Sequence, residues 1–407
     1  MRFPGFEGEW EERKLGKVMD FKVTNSFSRE NLNYKIRTVK NIHYGDIHTK
    51  FQTLFDVTKE NVPFVNGNIS IEKIPEDNYC KEGDIVFADA SEDLNDVGKS
   101  IEIVNLDDEK LLSGLHTLLA RPKENVFQKG FNGYLFKSKS VRTQIQKEAQ
   151  GTKVLSISSG RISKVDLSFP TLPEQQKIAS FLSLIDERIS TQIKIIEYLK
   201  SLKTALSKKI FSRQLRFKDE NGNSFPDWEM KLGNDIFESI SDKKHNSDLP
   251  ILAITQEHGA VPRDFIDYSI TVTDKSIESY KVVQVGDFII SLRSFQGGIE
   301  YSEYKGICSP AYIILRPINF INRIFYKYYF KTEEYITELN RKLEGIRDGK
   351  MVSYKYFSEI LLPLPDFKEQ TKIAKFLYSI DAKIETEKKV LDQYQKQKQF
   401  LLKNMFV

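Results

Sequence analysis

Cysteine is almost missing from this sequence: Cys80 and Cys308 are the only two among 407 residues. Two thiols so far apart exclude a disulfide-stapled scaffold and a cysteine zinc cage, and they point to a reducing, cytoplasmic home. Long apolar runs are missing too. No stretch approaches the ~20 apolar residues that a bilayer-spanning helix needs, and the first ten residues, Met1 to Trp10, hold no apolar core of a secretory signal. Charge of one sign is also lacking. The 61 basic and 57 acidic residues leave a formal net charge of +4, so bulk charge gives no argument for nucleic acid. The five histidines show no ligand spacing, which leaves metal chemistry without support. What remains is globular: 40% hydrophobic and 29% charged residues, over a length that predicts two or three domains at about 150 residues each.

The chain repeats itself, and a repeat decides an architecture before any other feature. Gln175, Lys177-Ile178-Ala179, Phe181-Leu182 and Ile185-Asp186 recur 195 residues later as Gln370, Lys372-Ile373-Ala374, Phe376-Leu377 and Ile380-Asp381. Upstream, Phe169-Pro170-Thr171-Leu172-Pro173 is echoed by Leu361-Leu362-Pro363-Leu364-Pro365, and Arg121-Pro122 by Arg316-Pro317. Glu82-Gly83-Asp84-Ile85 returns as Val285-Gly286-Asp287-Phe288, and Trp10 with Lys14-Leu15-Gly16 as Trp228 with Lys231-Leu232-Gly233. One unit of about 200 residues is used twice, with loops of different length.

Each unit closes with a long amphipathic run. Steps of four and three from Ile178 meet Leu182, Ile185, Ile189, Gln192, Ile196, Leu199, Lys203, Leu206 and Ile210; from Ile373 they meet Leu377, Ile380, Ile384, Glu387, Leu391, Tyr394, Lys398, Leu401 and Met405. Such spacing is a coiled-coil seam, with Pro173 and Pro365 setting where each helix can begin. About 39 residues at ~1.5 Å rise make a rod of roughly 58 Å. Paired antiparallel, one register sets Gln192 opposite Lys398 and Lys203 opposite Glu387. The alternative is two long helices packed on separate globular cores. The positive charge sits here as well: residues 174–212 carry +3 and 368–407 carry +4, against a combined −3 for the rest. The four segments are therefore 1–172, 173–212, 213–366 and 367–407.

The blocks 1–172 and 213–366 read as mixed α and β. Asp84–Ala88 and Asp287–Ser291 are strand-like after Gly-Asp turns, and 137–148 and 322–343 read as helices. Between them run polar loops with aromatics and glycines, notably Tyr44–Lys50 and Ser291–Gly298. Arginine can grip guanine through two hydrogen bonds, glutamine can grip adenine, and glycine lets backbone approach phosphate, so such loops suit nucleic-acid contact.

The duplicated Leu-Pro, Gln, Lys-Ile-Ala, Phe-Leu and Ile-Asp segments, each following a block that opens with Trp and Lys-Leu-Gly, resemble the specificity subunits of type I restriction–modification enzymes over essentially the whole chain. The resemblance implies an α+β fold of two tandem target-recognition domains, 1–172 and 213–366, joined by two long helices packed as an antiparallel coiled coil. Each domain would read half of a split, asymmetric DNA sequence. The helices would set the spacer and dock two modification subunits, which carry S-adenosylmethionine and methylate adenine at N6. Restriction subunits driven by ATP, with Mg, would translocate and cut double-stranded DNA. No cofactor or metal is expected on this chain. The helix-pairing residues would be Ile178, Leu182, Ile185, Ile189, Ile196, Leu199, Ile373, Leu377, Ile380, Ile384, Leu391 and Leu401.

Candidate DNA contacts in the first block are Tyr44, Asp46, His48 and Lys50, then Ser91 and Glu92, then Lys153. In the second they are Thr255, Gln256 and Arg263, then Arg293, Ser294, Gln296 and Gly297, then Arg347 and Lys350. Each has a structural alternative: an internal salt bridge or cap for Arg293 and Gln296, and a turn followed by a solvated strand for 44–50. His116 reads as a core residue. Enzyme signatures come near and fail. Asn61-Val62-Pro63-Phe64 is one residue from a methyltransferase tetrapeptide and has no glycine-rich loop, while Gly98-Lys99-Ser100 lacks the upstream glycine of a phosphate loop, Asp93 standing there. Asp84, Asp108 and Lys110 mimic nuclease spacing but read as a solvated loop. The chain is expected to catalyse nothing alone; the competing reading is a stand-alone sequence-specific DNA-binding protein.

Overall fold

A computed structural model describes the chain except residues 36, 124, 246–247, 267–276, 342–351 and 407. It falls into two compact units, one of Met1–Lys194 with Lys389–Val407 and one of Ile195–Lys388. Each long helix thus begins in one unit and ends in the other. The helices run Leu172–Phe211 and Phe367–Asn404, and both start beside the prolines that the sequence marks.

Unit 1 is built on a five-stranded sheet in the order Met19–Lys22, Thr117–Pro122, Ile85–Ala88, Ser100–Asn105, Leu54–Asp56, antiparallel except for the last pair. A four-stranded sheet of Lys110–Ser113, Val39–Ile42, Phe64–Val65 and Leu32–Asn33 accompanies it. Unit 2 repeats the first four strands as Phe237–Ile240, Ile313–Pro317, Phe288–Ile290 and Glu300–Tyr301. The strand at Ile85–Ala88 is buried at every position, as is that at Phe288–Ile290. This explains their unbroken apolar sequence, since strands covered on both faces do not alternate. The two strand expectations stand.

The predicted helix over 322–343 is two helices, Arg323–Tyr329 and Glu333–Arg341; residues 342–343 lie outside the described ones. Thr332 makes the break, because its hydroxyl accepts from the Tyr335 amide at 3.3 Å and starts a new turn. The stretch Tyr44–Lys50, expected as a loop or turn, is helical over Tyr44–Thr49. His43 caps it by accepting from the Gly45 amide at 3.1 Å, and Asp46 ties Lys50 one turn on at 2.9 Å.

Four polar clamps recur, one set per unit. The Asp84 and Asp287 carboxylates, each about 1% exposed, are gripped at both oxygens by Arg121 (2.9 and 2.8 Å) and Arg316 (2.9 and 2.7 Å). The duplicated Gly-Asp and Arg-Pro motifs are therefore one structural device, and Asp84 is no solvated nuclease ligand. Glu174 and Glu369, buried at the helix starts, are held at both oxygens by Arg2 and Arg216. Gln175 accepts from the Gln128 amide and donates to the Pro170 carbonyl, as Gln370 does with Asn322 and Pro365. Buried carboxylates and carboxamides need such full pairing, because an unpaired one costs several kcal/mol, of order 3.

The fourth clamp fixes how the helices meet. In unit 1, Lys398 pairs with Asp186, which also accepts from the Tyr134 hydroxyl at 2.9 Å, and the ammonium lies 5.8 Å from the Tyr134 ring centre. In unit 2, Lys203 reaches Asp381 at 2.6 Å, Tyr328 donates to the same carboxylate at 2.7 Å, and the ring centre is 5.0 Å away. Leu182 and Ile185 share a core with Leu401 and Met405, and Ile210 shares one with Ile373 and Leu377, so within each unit the helices run antiparallel. The expected register is corrected. Lys398 meets Asp186 rather than Gln192, and Lys203 meets Asp381 rather than Glu387. The aspartates lie one residue beyond the seam, where a tyrosine from the block orients them. The other predicted pairing residues, Ile189, Ile196, Leu199, Ile380, Ile384 and Leu391, are all buried or half-buried.

Candidate nucleic-acid interface

In unit 1 the polar surface gathers around Tyr44. Its ring stacks on His43 at 4.7 Å between centres and meets His116 and His48 edge-on at 5.4 and 6.1 Å. Arg29 and the Gly45 amide both donate to His43 Nδ1, at 3.2 and 3.1 Å, so that nitrogen carries the lone pair. Burial, and then the Arg29 charge, lowers the affinity of His43 for a second proton. His48 Nε2 donates to the Ala90 carbonyl at 3.1 Å, and Lys99 donates to the His48 carbonyl at 3.3 Å. His116 overturns its reading as a core residue: its side chain is 50% exposed and its φ is +55°, and Nδ1 faces Asp89 at 3.3 Å. A turn that aims the ring outward explains both.

Asp46 faces inward. It is 1% exposed and pairs with Arg29 and Lys50; although burial opposes it, those two cations hold its carboxyl below the usual range. Its part is to shape the helix and present Arg29 and the exposed Lys50. Ser91 lies on the short strand Ala90–Ser91, which pairs with Leu155–Ser156, so the exposed Lys153 stands near it in the fold. Glu92 is exposed, and with Asp93 and Asp96 it gives this edge an acidic loop. Residues 44–50, 89–92, 116 and 153–156 are thus joined by direct contacts.

Unit 2 places a different surface after the equivalent strand. Thr255 closes a hairpin turn by accepting from the His258 amide at 3.0 Å and donating to the Gly259 carbonyl at 3.2 Å. The Gln256 side chain then crosses to the Arg293 carbonyl at 3.3 Å and lies over Gly297, where a Cβ would stand 2.6 Å from it. The structure therefore unites Gln256, Arg293 and Gly297. Arg293 and Gln296 are exposed; Ser294 is buried and accepts from the Ser291 amide at 2.9 Å, which makes it a support of the turn. Arg263 opens a short turn after the hairpin, with its Nε buried and without a hydrogen-bond partner among the described residues. Arg347 and Lys350 lie outside the described residues. Sequence reasoning missed Lys331 and Asn340, which hold the loop from beneath at the Gly297 and Phe295 carbonyls, both at 2.8 Å. Lys331 had a signal: Tyr328-Tyr329-Phe330-Lys331 repeats Tyr134-Leu135-Phe136-Lys137.

Among the described residues no group of His, Cys, Asp and Glu could hold a metal ion, and no helix is long and apolar enough to cross a membrane. The arrangement is one framework used twice, each copy carrying its own polar surface, which is the form of a modular recognition protein. The chain belongs to the family of type I restriction modification DNA specificity domains, whose model matches residues 7–201 and 226–395. It is similar to a Methanocaldococcus jannaschii protein ascribed to the specificity subunit of the type I restriction enzyme MjaX, at 27% identity over 97% of this chain and 92% of that one. A second M. jannaschii relative, the MjaVIII type I restriction enzyme specificity subunit, is 27% identical over 66% of this chain and 68% of its own length. In fold it resembles the S subunit of a type I restriction-modification system from M. genitalium, with TM-score 0.54 and 17% identity over 100% and 99% of the two chains. A chain from a type I R-M structure concerned with complex assembly and conformational transition gives TM-score 0.59 and 17% identity over 97% of each.

Proposed function

We propose that this chain is the DNA sequence-specificity subunit of a type I restriction–modification complex, each unit reading one half of a bipartite DNA target. The carrying observation is the contrast within the repeat. The four clamps recur in both units, while the surfaces they support differ: histidines and tyrosine beside an acidic loop in unit 1, arginine and glutamine in unit 2. Two unlike readers on like frames give an asymmetric target. Phosphate contacts from Lys50, Lys99 and Lys153 would fix position and salt dependence, while side chains that reach base edges would set sequence.

Methylation and cleavage belong, in this reading, to partners. Two modification subunits would bring S-adenosylmethionine to adenine N6, and restriction subunits would use ATP and Mg, all in the cytoplasm. The exposed Leu184, Tyr198, Tyr378 and Phe400 give the long helices apolar surface for such docking. Genome-wide mapping of N6-methyladenine in cells holding the modification subunit, with and without this chain, tests the function. A split, asymmetric motif that disappears with the chain supports it; an unchanged methylome defeats it. Failure to co-purify with a modification subunit would favour a stand-alone DNA-binding protein.

A further inference from the structure

The loop Ser291–Gly298 of unit 2 is exposed at its tip and tied down at its root. Three of its carbonyls, at alternating positions, each accept a hydrogen bond from a side chain of another segment. Gln256 Nε2 donates to the Arg293 carbonyl at 3.3 Å, Asn340 Nδ2 to Phe295 at 2.8 Å, and Lys331 Nζ to Gly297 at 2.8 Å. Lys331 is itself fixed by the buried Glu300 carboxylate at 2.6 Å. At the end of the loop Gly298 has φ +78°, and a Cβ there would lie 1.9 Å from the Phe330 carbonyl, so the backbone is seated directly on the segment that supplies Lys331. In contrast, the Arg293 guanidinium is exposed and has no partner among the described residues.

A phosphate contact does not call for this construction. Phosphate is held well by mobile cations or by a nest of free backbone amides. This loop has one cation, and its amides at Arg293, Ser294, Gln296 and Gly298 are already bonded within the turn, to Ser291 Oγ and to the Ser291, Arg293 and Ser294 carbonyls. A rooted backbone with a free planar fork at its tip suits a target of fixed position and two acceptors. Guanine in the major groove offers O6 and N7 in that arrangement, and arginine is the side chain that meets both. Preorganisation through supporting hydrogen bonds is what such a contact needs.

We propose that Arg293 reads one guanine in the half-site belonging to unit 2, and that Gln256, Lys331 and Asn340 are positioning residues that set which base pair it meets. This rests on the function proposed above. The equivalent loop of unit 1 has Glu92, Asp93 and Asp96 and no arginine, so the assignment is confined to the second half-site.

The test uses the full complex with its modification subunits and the methylated motif as mapped. Binding is measured to that site and to a set in which each base pair of the second half-site is changed in turn. The wild type should lose about tenfold to a hundredfold in affinity when the one guanine is replaced. Arg293→Ala and Arg293→Lys should both abolish that discrimination and leave every other position read, because lysine keeps the charge and loses the fork. Lys331→Met and Asn340→Ala should weaken discrimination at the same position only, with the first half-site still read, a pattern that general unfolding of unit 2 would not give. Full discrimination in Arg293→Lys, or a uniform loss over all substituted sites in Arg293→Ala, would reduce the residue to a phosphate contact and overturn the proposal. If no split motif depends on the chain at all, the functional reading fails first and this one with it.

Discussion

Unit 1 and unit 2 agree in their clamps and differ in their exposed surfaces and at a few buried polar groups. Both grip a 1%-exposed aspartate with an arginine and close the helices with a Tyr–Asp–Lys cluster. The copies part at one matched lysine. Lys331 faces the carboxylate of Glu300, whereas among the described residues Lys137 donates only to the Thr53 hydroxyl, at 2.7 Å. Near it Glu102, fully buried, accepts from the Gly130 and Gly133 amides, both at 2.6 Å, with no cation in hydrogen-bond contact among the described residues. The tryptophans differ likewise: Trp228 donates to Glu369 at 2.9 Å, while Trp10 Nε1 is buried without a hydrogen-bond partner among the described residues. Buried ionic pairs tolerate little change because removing one member strands the other; the clamps are kept on that ground, and the Lys331–Glu300 pair, which Lys137 does not reproduce, is the place where the frame itself has diverged.

The largest way to break this comparison is to remove a clamp. Arg121→Met strands Asp84 and also loses the Arg121 bonds to Asp77 and the Tyr79 carbonyl, which should cost unit 1 about 4 kcal/mol. Arg316→Met, which among the described residues gives up only the hydrogen bonds to the two Asp287 oxygens, should cost unit 2 less. Amide hydrogen exchange resolved by unit measures both, and equal losses would contradict the comparison.

Proton linkage comes next. Burial pushes the Glu102 carboxyl up to about 7 and pulls the Lys137 ammonium down to about 7. A raised carboxyl means that the folded state holds the proton longer, so its contribution is complete below the unfolded value near 4.5 and is lost as pH rises to 7, a fall of about 3 kcal/mol. A depressed lysine works in the opposite sense, and stability recovers from pH 7 toward 10.5. Unit 1 should therefore be least stable near neutrality. Glu102→Gln should flatten the acidic limb and Lys137→Met the alkaline one, read as urea midpoints against pH.

The helix register is a smaller test. Lys203→Asp should destabilise unit 2 by about 2 kcal/mol, and Asp381→Lys should restore more than half of it, whereas Glu387→Lys should restore none. Thermal unfolding of the three variants decides between the two pairings. Smallest of all, Lys14→Ala removes an exposed partner of Asp166 at 3.1 Å and should change stability by under about 0.5 kcal/mol; a larger shift would mean that exposed pairs also carry the shared framework.

Much of the frame is legible in the sequence because periodicity and duplication leave marks on residue order. The four-and-three spacing from Ile178 and Ile373 finds both helices, and the repeated Gly-Asp and Arg-Pro motifs become the Asp84–Arg121 and Asp287–Arg316 clamps. The register was not legible from the seam, since apolar spacing says nothing of the aspartate beside it, although Ile185-Asp186 and Ile380-Asp381 repeat in plain view. Lys-Leu-Gly misleads by one residue: Leu15 sits at 0% exposure at a helix start, while Leu232 ends a strand at 40% and Gly233 takes the equivalent buried place. The supports of the Ser291–Gly298 loop were hidden for another reason. Gln256, Lys331 and Asn340 reach Arg293, Gly297 and Phe295 across 37, 34 and 45 residues, and contacts at that range follow from tertiary folding alone.

Unit 1 takes its closing segment from residues 389–407, beyond all of unit 2. Phe406 lies against Trp10 and Phe131, and Leu401 and Met405 complete the same core. On the ribosome this makes the first-born unit the last to close. At 5–20 residues per second, the intervening stretch takes about 10 to 40 s to synthesise, during which the apolar side of Leu182 and Ile185 waits uncovered. Such a nascent chain is a natural client for holding chaperones, and one released early would leave its oldest part unfinished rather than its newest.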